Sequence, residues 1–155
     1  MNTDPILPFR TRKRVSRHAW TGAMETVVDD THGLIRLEQE RIVIETTRSR
    51  RIVKTSAMGS IDTKYENYPV ETQAIDLSMI AGVSLRVPTW NFWSAPRVVF
   101  HVREMGVLEG LPGAGAAEFS VAVLYRDKAI ANAFVVQCQV ALSRAGLPNG
   151  APALG

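Results

Sequence analysis

Cysteine occurs once in the 155 residues, as Cys138. A lone thiol closes no disulfide within the chain and builds no cysteine-rich zinc site. That pattern fits a reducing compartment. Histidine is scarce too. His18, His32 and His101 occur without an HxH or HExxH arrangement, so the sequence points to no histidine metal site. Long apolar runs are missing. The longest uncharged stretch, Ala129 to Leu142, is too short for a bilayer, and Asn132, Gln137 and Gln139 interrupt it. The first twenty residues have no apolar centre, because Pro8, Arg10, Arg12, Lys13 and Arg14 break it up, and no secretory signal is expected. The expected location is the cytoplasm, or the periphery of a membrane.

What is present suits one soluble domain. The chain is 46% hydrophobic and 21% charged, enough apolar mass for a sizeable core. Its net charge of +3 is unevenly spread. Residues 1–60 hold eleven Lys or Arg against seven Asp or Glu, and residues 61–155 hold seven against eight. Fourteen of the eighteen cations are Arg, which suits bidentate contacts to phosphate and carboxylate. A GC-rich genome gives the same bias. Residues 1–18, with two prolines and five cations, predict a flexible basic arm. Residues 19–146 predict the folded domain, with an irregular, mostly polar insertion near 56–72 that holds a short strand near Ile61. Residues 147–155, rich in Gly and Pro, predict a flexible tail.

Within the domain the pattern is strand-rich. Leu34 to Glu38, Arg41 to Thr47, Val83 to Val87, Arg97 to Arg103 and Phe119 to Tyr125 read as strands, several with alternating apolar and polar positions. A basic turn at Arg48, Ser49 and Arg50 separates the second from a further strand at Arg51 to Thr55. The period then changes. Ile130, Phe134, Cys138, Ala141 and Ala145 recur every three or four residues, predicting a helix over Asp127 to Arg144 with Ile130, Phe134 and Cys138 toward the sheet. Asp127 is placed to cap its start, and Gly146 to close its end in a left-handed conformation. The fold class is therefore α+β: a strongly bent antiparallel sheet or partly open small barrel, closed by one C-terminal amphipathic helix.

This order, with Ile75, Leu77, Ile80, Ala81, Gly82 and Val83, the nearby Trp90, and the run Val121 to Lys128, resembles bacterial pleckstrin-homology-like (PH-like) domains. It is closest to actinobacterial PH-like domains of unknown function. The resemblance spans about Gly33 to Arg144. It implies a small sheet barrel plugged by a helix, acting as a binding or scaffolding module without catalysis. The segment 56–72 and the basic arm depart from the minimal pattern.

Two sets of residues stand out as candidate sites. Arg10, Arg12, Lys13, Arg14 and Arg17 in the arm, with Arg48, Arg50, Arg51 and Lys54, form two acid-free basic windows able to hold phosphates. Trp90, Phe92 and Trp93 crowd one loop between Pro88 and Pro96 and form a candidate interface, since aromatics dominate contact area. Gly110, Gly113 and Gly115 lack the GKS or GKT ending of a phosphate loop. Few histidines, a cysteine on an apolar stripe and no dense carboxylate cluster argue against an enzyme, and no cofactor, metal or small-molecule substrate is expected. The leading expectation is a module for protein interaction or self-assembly. The alternative is a peripheral binder of anionic membrane or nucleic acid through the Arg-rich clusters.

Overall fold

The computed structural model describes residues 5–89, 94–111, 114–115 and 117–146. It has an α+β fold of two antiparallel sheets and one C-terminal helix, and among the described residues the sheets do not join into a closed barrel. The first sheet contains β1 (Ile6–His18), β2 (Met24–Glu38), β3 (Arg41–Thr55), β4 (Ile61–Asn67) and β5 (Glu71–Asp76). Its order is β1-β2-β3, after which β4 and β5 share the far edge of β3 in series. The second sheet contains β6 (Ile80–Arg86), β7 (Arg97–Val102) and β8 (Glu118–Ala122), paired in that order. Helix α1 (Lys128–Arg144) packs on β6 and β1.

Strands β1, β2 and β3 are long, and only one end of each enters the core. At that end Leu7, Phe9, Ile35, Leu37, Ile42 and Ile44 are buried with Ile75 and Leu77. The second sheet adds Val98, Phe100, Phe119 and Val121. Phe100 and Phe119 stack as a cross-strand pair with ring centroids 4.5 Å apart, and Phe134 meets Phe100 edge-on at 6.4 Å. Each such buried side chain contributes about 1.5–3 kcal/mol through area removed from water.

Beyond this base the sheet continues as a blade. From Arg10 to His32 and from Thr46 to Asn67, Thr26 is the one buried residue among those described. The blade persists because β-branched residues suit the pleated backbone, as at Thr26, Val27, Val28, Ile52 and Val53, and because cross-strand charges match. Gly33 marks where blade leaves base. A Cβ there would lie 1.9 Å from the Glu45 carbonyl oxygen and 2.9 Å from the Phe9 ring, so only glycine allows this approach.

Several expectations change. Residues 6–18 are not a loose arm but a strand paired with β2 over its whole length, from Ile6 opposite Arg36 to His18 opposite Met24. The cause is register: Arg12 faces Asp30, Lys13 faces Asp29 and Arg17 faces Glu25. The expected turn at Arg48 to Arg50 is continuous strand inside β3, held by pairing to Asp29, Asp30 and Thr31. The 56–72 segment is ordered as a turn, β4 and the start of β5, with β4 starting at Ile61. Helix α1 buries Ala131, Phe134, Val135, Cys138 and Leu142, whereas Ile130 is 46% exposed. The buried stripe is centred on Ala131, Cys138 and Leu142, and Ile130 stands about 100° round the helix from Ala131, at its margin. Asp127 occupies the N-cap position but its side chain makes no capping hydrogen bond. Gly146 does adopt the left-handed conformation, with φ +68°.

Candidate functional site

The nine basic candidates all lie on the blade, brought together by the β1-β2-β3 pairing. Most are answered by acids of neighbouring strands. Arg10 and Arg12 both reach Asp30, with Arg10 Nε donating to Oδ1 at 3.1 Å and Arg12 Nη2 to Oδ2 at 3.1 Å. Arg50 grips Asp29, its Nε 2.7 Å from Oδ1. Arg48 pairs with Glu71 at 2.7 Å and lies over the Tyr68 ring at 5.6 Å. Lys54 approaches Glu25 at 3.9 Å. Lys13, Arg14, Arg17 and Arg51 have no ion-pair partner among the described residues.

Side chains alternate between the two faces of the blade. One face carries Arg10, Arg12 and Arg14 from β1, Asp30 and Val28 from β2, Arg51 from β3 and Tyr65 from β4. Here one carboxylate stands among four guanidinium groups, and it pairs with only two of them, Arg10 and Arg12. The hydrogen bond from Arg10, the largest influence, with a further one from Arg12, holds the Asp30 carboxyl at about 2, well below the usual range. The other face carries Lys13, Arg17, Arg48, Arg50, Lys54 and Lys64 among Glu25, Asp29, Asp62 and Glu66, with Arg48 also paired to Glu71, so its cations are more fully matched by acids.

The far end of the blade is built from two hairpin turns of one design. In Ala19–Ala23, the Ala19 N–H donates to Ala23 O at 2.9 Å and Gly22 N–H donates to Ala19 O at 3.0 Å. In Ser56–Ser60, Ser56 N–H donates to Ser60 O at 2.9 Å and Gly59 N–H donates to Ser56 O at 3.0 Å. Gly22 and Gly59 have φ of +87° and +84°, the left-handed residue that such a three-residue turn requires. The turns abut, since a Cβ at Gly22 would lie 3.8 Å from that of Ala57. They hold Trp20 and Met58 out in solvent, 98% and 95% exposed, with Ile61 also exposed beside them. Behind them lies an open cleft of about 540 Å³ lined by Arg17, His18, Glu25, Lys54, Thr55 and Asp62 among others.

The sequence pattern missed this tip. Its available signal was a bulky apolar residue inside each glycine-containing turn, Trp20 before Gly22 and Met58 before Gly59. The aromatic candidates Trp90, Phe92 and Trp93 lie outside the described residues. Cys138 is buried in the helix–sheet interface, and burial pushes its thiol up to about 12, which removes the thiolate needed for nucleophilic chemistry. Among the described residues no group of three or more His, Cys, Asp and Glu is placed to hold a metal ion. His101 lies 3.5 Å from Glu118, an ion pair when the imidazole is protonated.

No protein-family model, no curated protein and no solved structure matches this chain. The site is therefore defined by its own geometry: a helix-backed base, a long blade, a basic face and an apolar tip. No helix among the described residues is long and apolar enough to cross a membrane.

Proposed function

We propose that the protein is a non-catalytic, PH-like binding module that docks reversibly on anionic membrane surfaces through the tip of its blade. The observation that carries this reading is the exposure of Trp20 and Met58 on adjoining turns, at the end of a sheet that brings cations with them. Indole rings favour the headgroup level of a bilayer, with an apolar body and a polar N–H. Burying Trp20 and Met58 in lipid would contribute about 1.5–3 kcal/mol each. Arg17 near the tip, and Arg14 and Arg51 behind it, would add on the order of 1 kcal/mol each at a negatively charged leaflet. These sums describe weak, salt-sensitive, reversible attachment.

Cosedimentation with vesicles tests it. The full chain is mixed with phosphatidylcholine vesicles and with vesicles containing one-third phosphatidylserine, at two salt concentrations. Binding is expected to the anionic vesicles, to weaken with salt, and to be lost in the Trp20→Ser, Met58→Ser double variant while its melt is unchanged. Equal binding by the double variant, or none by the wild type at low salt, would sink the reading. Random duplex DNA in a parallel assay separates the lipid version from the nucleic-acid version. The protein-interaction reading is favoured by another feature, the free edge of β1.

A further inference from the structure

The tip turn sets the hydrogen-bonding phase of β1. Ala19 donates to Ala23, and the β1–β2 register runs without a shift from His18 opposite Met24 to Ile6 opposite Arg36. In an antiparallel ladder, bonded and non-bonded pairs alternate. Residues 11, 13, 15 and 17 therefore exchange hydrogen bonds with β2. Arg10, Arg12, Arg14, Ser16 and His18 point their N–H and C=O groups away from it. Pro8 belongs to the same outward set, where its missing N–H costs no ladder bond, as expected of an edge strand. Among the described residues no strand pairs with the outer side of β1, whose base end lies near β8, and every residue from Arg12 to His18 is exposed.

The same residues that offer outward backbone groups carry the basic face. Arg10 and Arg12 share Asp30, Arg14 has no ion pair among the described residues, and Arg51 lies in Arg14's row across Val28. We infer that the β1 edge from Arg10 to His18 is a docking site for an extended acidic segment of a partner protein, which adds to the sheet as a further strand. Main-chain hydrogen bonds supply affinity in this mode, and alternate side chains supply specificity. A strand placed beside β1 sets every second side chain on the face of Arg10, Arg12 and Arg14. The partner segment accordingly carries Asp or Glu at alternate positions, over about seven to nine residues.

Charge decides among occupants. Another copy of β1 would bring cations against cations, which is unfavourable directly across a ladder. A neutral strand would leave the Arg14 side of the face unanswered. The cations also account for the edge remaining free, because Lys and Arg on an exposed edge oppose indiscriminate strand pairing. This inference shares Arg14 and Arg51 with the membrane reading but makes no use of Trp20 or Met58, and it does not depend on membrane docking.

The probe is a fluorescein-labelled peptide, Glu-Val-Glu-Thr-Asp-Val-Glu, with blocked ends, followed by fluorescence anisotropy with the full chain at low salt. Two further versions carry N-methyl groups at alternate backbone amides, one version in each phase. Both keep every carboxylate. Binding of the parent peptide is expected, with one methylated phase weakened tenfold or more and the other nearly unaffected. Ser16→Pro keeps every cation and removes one outward N–H, so it is expected to weaken the parent peptide while the melt confirms folding. The Trp20→Ser, Met58→Ser variant is expected to bind the peptide as the wild type does, whatever its behaviour on vesicles. Equal binding of both methylated phases would reduce the contact to electrostatics and overturn the proposal. No binding of the parent peptide would overturn it too. Growth of larger species in sedimentation, abolished by Ser16→Pro and without peptide binding, would assign the edge to a second copy instead.

Discussion

At Asp30 two guanidinium groups converge on one carboxylate, and the pair of contacts makes its ionisation part of the fold. Its pKa is held near 2 by the hydrogen bond from Arg10 first and that from Arg12 next, against partial desolvation. A carboxyl whose pKa is depressed in the folded state stabilises that state above its unfolded pKa, about 4, and loses the contribution as pH falls through the folded value. The contribution at neutral pH is on the order of 1 kcal/mol, because both arginines reach into solvent and water screens the pair. Wild type and Asp30→Asn are therefore expected to differ in melting temperature above about pH 4 and to converge toward pH 2. A constant difference across that range would show that the hydrogen bonds, not the charge, hold the blade. None of this was legible in the sequence, where Arg10 and Asp30 stand twenty residues apart and only the strand register joins them.

At the scale of elements, legibility followed the burial of faces. Helix α1 was readable because one of its faces is apolar and the pattern is local. Even so, its phase was misplaced by one residue, exposing Ile130 and burying Ala131. Phe134, edge-on to Phe100 and 1% exposed, is expected to lose roughly 3–5 kcal/mol on replacement by alanine. Ile130→Ala should change stability by less than about 0.5 kcal/mol, as surface positions do. Denaturant melts of both variants check the assignment of the helix face. The β1-β2-β3 blade was hidden for the opposite reason. A strand wetted on both faces needs no apolar alternation, so β1 read as a charged arm and the middle of β3 as a basic turn. The tip was hidden because exposure of Trp20 is a property of where the hairpins end, and an apolar residue beside a turn glycine does not by itself fix that place.

For the whole molecule, the distribution of ion pairs limits how strongly it can bind a polyanion. Of the nine basic candidates, Lys13, Arg14, Arg17 and Arg51 are without ion-pair partners among the described residues, and the other five are partly neutralised by Asp29, Asp30, Glu25 and Glu71. Four free cations predict a shallow salt dependence on duplex DNA, with log K falling against log salt by a slope no steeper than about −4. A slope near −8, measured by anisotropy on random duplex, would mean that the acids release their arginines on binding. The close approach at Gly33 carries a mechanical consequence of its own. From Gly33 to the tip at Met24, β2 extends about 30 Å at the ordinary rise of a strand, with Gly33 seated against the Glu45 carbonyl where blade meets base. The blade is thus a lever whose fulcrum has no side chain. A rotation of about 10° there would carry Trp20 roughly 5 Å, given that strand rise. Whatever engages the far end has a long arm by which to press on Phe9 and the core beneath it.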